Sequence, residues 1–217
     1  MKFIEGKFLI LMVLGGILTA ALSALSACVP MMVGGAVVGG TLVATDRRTP
    51  GTQLEDRGIE MRSASRIQEH LGDRVHVNVN SYNRRVLLTG EVPNAQDKQL
   101  VEKVVSRVSN IQAIVNELVV LGHSTLAQRS SDSLVTGRVK ASLVDAKDLY
   151  ANAFLVVTER GTTYLMGKVT EREANSATEA ARSTNGVQKV VRVFDIISED
   201  ELRELLPHPA SASTKPK

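Results

Sequence analysis

The chain has 217 residues with 26 basic and 23 acidic side chains, a small charge excess that excludes a strong nucleic-acid signature. Aromatic residues make up 3% of the chain and tryptophan is absent, which argues against stacking platforms for bases or sugars. The length suits one or two small domains.

The first 27 residues have the layout of a secretory signal. Lys2 and Lys7 give a positive start, and an apolar run follows over residues 8–22. This run is shorter than the roughly 20 apolar residues that a stable membrane span needs. Residues 1–27 are therefore predicted to be a signal peptide.

The only cysteine, Cys28, follows Leu25-Ser26-Ala27, and this block resembles the lipobox of bacterial lipoproteins. The resemblance implies cleavage before Cys28 and acylation of its sulfur and its new amine. The alternative is a buried free thiol after ordinary signal cleavage. Val29 follows the cysteine in place of the aspartate that resembles an inner-membrane retention signal. The expected location is therefore the outer membrane, lipid-anchored and facing the periplasm.

Residues 28–53 are predicted to form a tether between the lipidated cysteine and the first domain. The segment is apolar and rich in glycine as far as residue 45, and Gly35 and Gly39 have the spacing of a membrane helix contact. The apolar run is short for a span, and Pro30 lies near its start. A tether that lies along the membrane surface is the preferred interpretation.

The first repeated unit is predicted over residues 54–122. A helix over residues 59–71 is followed by a strand hairpin with its turn at Asn83 and Arg84. A second helix and a closing strand over residues 114–121 complete the unit. The first helix is predicted to bury one face, formed by Ile59, Ser63, Ile67 and Leu71.

The second unit copies this order over residues 132–198, after a linker over 123–131 and before a flexible tail over 199–217. Its first helix is predicted over 132–145, capped near Ser130–Ser133, with its core face formed by Val135, Val139 and Leu143. The repeat is also direct, because Leu88-Thr89-Gly90-Glu91-Val92 matches Leu165-Met166-Gly167-Lys168-Val169.

The duplicated pattern of hydrophobic-x-Gly-x-Val, an Ala-rich helix and a final Val-x-x-Val-Val block resembles the BON domain. That resemblance implies an α+β fold of two tandem domains, each α-β-β-α-β, with two helices packed on a small three-stranded mixed sheet. A lipobox followed by two such domains is similar to the dual BON-domain outer-membrane lipoproteins of the DolP (YraP) type. The resemblance implies a phospholipid-binding envelope protein with a role in outer-membrane integrity.

Gly90 and Gly167 lie inside predicted strands, where glycine often marks the close approach of another element. We expect a helix to pack directly over each strand and leave no room for a Cβ atom. Both glycines are therefore interpreted as structural. The alternative is a backbone contact to a ligand.

The first helix of the second unit carries the candidate lipid-binding residues. With its core face turned inward, a second face holds Leu134, Gly137, Arg138 and Ala141, flanked by Lys140; we call these five residues the basic face. An apolar wedge bordered by cations suits shallow insertion among anionic headgroups. An ordinary solvated helix surface is the alternative. The resemblance favours lipid, since the second domain faces lipid in that family, although relatives can carry a bulkier aromatic at position 134.

No motif predicts an enzyme, a cofactor or a metal site. The histidines at positions 70, 76, 123 and 208 lack metal-ligand spacing and are interpreted as solvated or loop residues. The predicted partners are anionic phospholipids of the outer membrane, and no nucleic acid. The alternative function is a periplasmic scaffold for envelope-assembly or peptidoglycan-remodelling proteins.

Overall fold

The computed structural model describes residues 46–205, so the predicted signal peptide, Cys28 and most of the predicted tether lie outside the described residues. The described elements are α1 (Pro50–Leu71), β1 (His76–Tyr82), β2 (Arg85–Val92), α2 (Ala95–Val105), β3 (Ala113–Asn116), β4 (Val119–Val120), α3 (Leu126–Asp145), β5 (Phe154–Glu159), β6 (Thr162–Thr170), α4 (Glu171–Arg182), β7 (Lys189–Ile197) and α5 (Glu199–Leu205). Within this range, no helix is long and apolar enough to cross a bilayer.

Each half of the described chain forms the same α-β-β-α-β unit. In the first, β1 is antiparallel to β2, and β3 and β4 both pair in parallel with β2. In the second, β5 is antiparallel to β6, and β7 is parallel to β6. These connections confirm the predicted α+β fold of two domains with small mixed sheets.

Several predicted boundaries were wrong. Helix α1 begins at Pro50, inside the expected tether, because Thr49 accepts a hydrogen bond from the amide of Thr52 and proline suits the first helical turn. The expected flexible tail starts with helix α5, where Leu202 is buried and Glu201 lies 2.7 Å from the ammonium of Lys168.

The closing strand of the first unit is interrupted. Between β3 and β4, the side-chain oxygen of Asn116 accepts the amide of Leu118 at 3.2 Å. Leu118 is buried in the core of the first domain. The predicted continuous strand over residues 114–121 is therefore two short strands.

The N-terminal cap predicted near Ser130–Ser133 was also wrong. Helix α3 begins earlier, where Thr125 and Gln128 form a reciprocal capping box. Asp132 lies inside the helix, and its carboxylate accepts the amides of Arg160 and Gly161 at 2.8 and 2.9 Å. Asp132 therefore attaches the helix to the hairpin turn between β5 and β6.

The first domain repeats this contact with Asp56. Its carboxylate accepts the amides of Asn83 and Arg84 at 2.8 and 2.7 Å. Both turn residues have positive φ, 51° and 62°, as the tight turns of strand hairpins require. A buried aspartate on the first helix thus positions the hairpin turn in each domain.

Each sheet packs one face against its own pair of helices. The predicted helix faces are buried as expected, and the two helix–sheet cores are separate clusters. The first contains Ile59, Ile67, Leu71, Val86, Leu88, Val101 and Val105. The second contains Val135, Val139, Leu143, Val156, Leu165, Ala174, Ala177 and Ala181.

The opposite faces of the two sheets pack against each other. This contact, which we call the inter-sheet interface, buries Tyr82 and Leu87 from the first domain and Tyr164, Met166 and Val193 from the second. The described chain is therefore built in four layers, with a sheet of each domain inside and the helices outside.

The two strand glycines make room for backbone, and the expected helix contact was wrong. A Cβ atom on Gly90 would lie 2.1 Å from the carbonyl oxygen of His76, and one on Gly167 would lie 2.5 Å from that of Ala153. The carbonyls belong to β1 and to the 3-10 turn before β5. Gly90 also has a φ of 116°, a conformation that disfavours other residues.

We expect Gly90→Ala to lower the free energy of unfolding by about 3 kcal/mol, because it adds backbone strain to a steric clash. Urea unfolding of the purified protein measures this change. Gly137→Ala is the control, since nothing lies within 4 Å of its Cβ position in the exposed helix α3. It should stabilise the protein by about 1 kcal/mol. Equal stability of Gly90→Ala and the parent would contradict the structural role of Gly90.

Candidate functional site

All five residues of the basic face are exposed on helix α3. The Leu134 side chain is 62% exposed, although leucine is among the residues most often buried. Val144, which sequence reasoning missed, is 69% exposed and extends the apolar strip toward the end of the helix. Its position three residues after Ala141 is the signal that could have identified it.

The exposed charges beside the middle of this strip are positive. Arg138 and Lys140 are both exposed, and the guanidinium of Arg138 donates to the carbonyl of Asn185 at 3.4 Å. The nearest preceding acidic residue, Asp132, is buried because its carboxylate binds the hairpin turn. The acid that begins the predicted segment is therefore removed from the surface, and the remaining acid of the helix, Asp145, is exposed only at its last residue.

Helix α1 has the same fold position in the first domain but a different exterior. Its exposed surface includes an ion pair between Arg62 and Glu55 at 2.7 Å, and Glu60 turns inward to accept the amide of Ser81. Leu54 and Met61 are also exposed on this helix, and their exposure was not predicted from the sequence. Their mixed-charge surroundings make this helix a poorer match for an anionic membrane.

The segment just before α1 is bound to both domains. Arg47 forms a buried ion pair with Glu173 of the second domain, with the closest atoms 2.6 Å apart. Arg48 lies 4.1 Å over the ring of Tyr82 and pairs with Asp56 in the first domain. The end of the predicted tether is therefore fixed where the two domains meet.

Electrostatics at Glu173 follow from these contacts. Burial alone would raise the pKa of this carboxyl, but hydrogen bonds from Arg47 and from the amide of Thr170 outweigh it and hold the pKa below its ordinary value. Glu173 also completes the capping box of helix α4. The carboxylate of Glu173 thus links the end of the predicted tether to the N-terminal cap of helix α4 in the second domain.

The interpretation of His76 as a solvated or loop residue was wrong. His76 lies on β1, partly buried, and its Nδ1 atom is 2.8 Å from the carboxylate of Glu91 on β2. The ring of His123 is 6.3 Å away, measured between ring centres. The other predicted histidines differ, since His70 is exposed and His208 lies outside the described residues.

Comparison with known proteins gives a coherent family assignment. A model of the BON domain matches residues 59–122 and 131–198. The outer membrane lipoprotein DolP of Haemophilus influenzae is 36% identical over 180 residues, which cover 82% of this chain and 93% of that protein. A 21 kDa hemolysin of Actinobacillus pleuropneumoniae is 30% identical over 154 residues, covering 70% of this chain and 79% of the relative.

One solved structure shares only a weak likeness. CdsD, a structural protein of the type III secretion system of Chlamydia trachomatis, is 15% identical and covers 73% of this chain and 99% of its own. The TM-score between the two structures is 0.29.

We expect Arg47→Ala to destabilise the protein by about 3–5 kcal/mol, because Glu173 would remain buried without its partner. Denaturant unfolding measures the loss of stability, and Arg62→Ala, which breaks an exposed pair, should change the unfolding midpoint little.

The same ion pair makes stability depend on pH. Because the folded pKa of Glu173 is below its ordinary value of 4.5, this carboxylate stabilises the fold at pH values above 4.5, and this stability is lost as pH falls through the folded pKa. The difference in free energy of unfolding between Arg47→Ala and the parent should therefore become smaller below about pH 4.5. A difference that grows there would contradict the stabilising role of the Arg47–Glu173 pair.

Proposed function

This chain belongs to the BON-domain family, and on that basis we propose that it is a periplasm-facing outer-membrane lipoprotein that binds anionic phospholipid without catalysis. Binding takes place through the second domain and supports outer-membrane integrity. The observation that carries the proposal is the basic face of α3, where an exposed apolar strip lies beside two exposed cations.

The energetics suit a weak, reversible contact. Complete burial of a leucine side chain contributes about 1.5–3 kcal/mol, and each cation near an anionic surface adds about 1 kcal/mol. Leu134 inserted beside Arg138 and Lys140 would therefore give a modest affinity by itself. Because a tether makes this contact effectively intramolecular, a modest affinity is sufficient.

The anchor in this proposal is Cys28, which lies outside the described residues. Each buried methylene contributes about 0.8 kcal/mol, and stable anchoring takes at least two acyl chains. A cysteine acylated on both sulfur and amine meets that requirement. Arg47 and Arg48, bound at the junction of the two domains, would then set where the anchored segment leaves the folded part.

A second candidate is a scaffold that binds envelope-assembly or peptidoglycan-remodelling proteins. The observation that favours it is the exposure of Leu54 and Met61 on α1, where the charges around them are mixed. Photo-crosslinking in cells from position 134 and from position 54 separates the two proposals. Lipid adducts at 134 favour phospholipid binding, and protein adducts at 54 or at 134 favour the scaffold.

We expect Leu134→Asp to weaken binding of the mature chain to phosphatidylglycerol micelles by roughly tenfold or more, since it replaces an inserting side chain with an anion. The chain used carries Cys28→Ala so that no acyl group masks the contact. Backbone amide shifts in NMR spectra should concentrate between Leu134 and Val144. Leu54→Asp is the matched control, because Leu54 on α1 is 74% exposed, against 62% for Leu134. Shifts spread evenly over both domains would contradict this binding face.

We expect Cys28→Ala to release the protein from purified envelopes into the soluble fraction, because the acyl chains supply nearly all of its membrane residence. Sedimentation followed by immunoblotting measures the distribution. Val29→Ala, beside the cysteine, should remain with the envelopes. If Cys28→Ala sediments as fully as the parent protein, lipid anchoring at this position is wrong.

A further inference from the structure

Three side chains of types that can bind a metal ion meet where the first domain contacts the second. His76 lies on β1, Glu91 lies opposite it on β2, and Glu159 ends β5 of the other domain. One ligand atom from each lies within 4.8 Å of the other two. We call these residues the inter-domain triad.

The triad brings two buried carboxylates together from different domains. Glu91 is 0% exposed and Glu159 is 9% exposed. Two carboxylates in a site of low dielectric are costly unless a cation lies between them.

The neighbouring arginine side chains neutralise only part of the negative charge of these two carboxylates. Arg160 donates to Oε1 of Glu91 at 3.2 Å, whereas Oε2 faces Nδ1 of His76 and accepts from the hydroxyl of Ser124. Arg129 lines the same cleft, but its Nε atom donates to the hydroxyl of Ser124. Glu159 receives its hydrogen bond from the neutral amide of Asn78 at 2.8 Å.

We propose that the inter-domain triad binds one zinc ion through His76, Glu91 and Glu159. Imidazole nitrogen with carboxylate oxygen is a donor set that zinc accepts, whereas magnesium and calcium prefer oxygen alone. Three protein ligands leave a fourth tetrahedral position for water. Binding requires neutral His76 and a contraction of the three ligand atoms toward the ion.

The surroundings fit a metal centre. Ligating carboxylates are normally held by further hydrogen bonds, and here Asn78 holds Glu159 while Arg160 and Ser124 hold Glu91. A cleft of about 300 Å³, lined by His76, Thr158 and Glu159 among others, gives an ion a route from solvent. Because the ligands come from both domains, zinc would link the two sheets at their edge.

The test is a zinc titration of the mature chain in nonionic detergent, without a polyhistidine tag and freed of metal by a chelator. Calorimetry should find one ion per chain, and saturating zinc should raise the melting temperature by several degrees, since the ion binds only the folded state. Calcium and magnesium at the same concentration should produce no comparable shift. A shift of equal size with calcium would overturn the assignment to zinc.

Two variants identify the ligands. Glu159→Gln keeps an acceptor for Asn78 and removes a buried charge, so it should fold with at least the parent's stability and bind zinc about tenfold or more weakly. His76→Ala should lose zinc binding to a similar degree. His70→Ala and Glu69→Gln change exposed residues of the same types and should bind like the parent. Parent-like affinity in Glu159→Gln would overturn the proposal.

A measurement on the parent protein keeps the test independent of variant folding. X-ray absorption of the zinc-loaded chain should show nitrogen and oxygen ligands at about 2.0–2.1 Å with one imidazole among them. A shell that contains sulfur, or the absence of saturable binding, would overturn the proposal.

Discussion

The inter-sheet interface is the contact on which the rest of the structure depends. Each sheet has two faces, and the helices of its own domain cover only one of them. Tyr82 and Leu87 from one sheet cover Tyr164 and Met166 from the other, so each domain supplies the layer that its neighbour lacks. Burial raises the pKa of Tyr82 to about 12, and its hydroxyl donates to the carbonyl of Ala153, the same carbonyl that approaches Gly167. The duplicated unit is therefore stable as a pair because the two copies bury each other's exposed sheet.

This arrangement also explains where polar groups collect and where the lipid-binding candidate lies. Around the edge of the interface, side chains of one domain bind those of the other, as Asn78 does with Glu159 and Asn83 with Asp195. The buried pair of Arg47 and Glu173 belongs to the same boundary, so the predicted tether ends at the junction. The helices occupy the outer layers, which leaves the basic face of α3 free to meet a surface without disturbing the interior.

The two domains share an interior and differ on the outside. Asp56 and Asp132 have the same role, each accepting the amides of a hairpin turn from within the first helix. Outside, α1 carries mixed charges, while the corresponding part of α3 carries cations beside Leu134. Interior positions are constrained by packing in both copies. The outer face has no such constraint, and this is the face where the functions of the two domains can differ.

The amino-acid sequence determined the features that local periodicity encodes. These are the duplicated unit, the hairpins, the buried faces of the first helices and the exposed positions of the basic face, because each depends on residues close together in the chain. It also indicated that Gly90 and Gly167 face a crowded position, but not that the neighbour is a strand or turn carbonyl. Only the tertiary structure decided how the sheets meet, that Asp132 serves a turn rather than a cap, and that His76 and Glu159 approach each other. These contacts join residues distant in sequence, and composition or spacing does not encode which distant groups the fold places together.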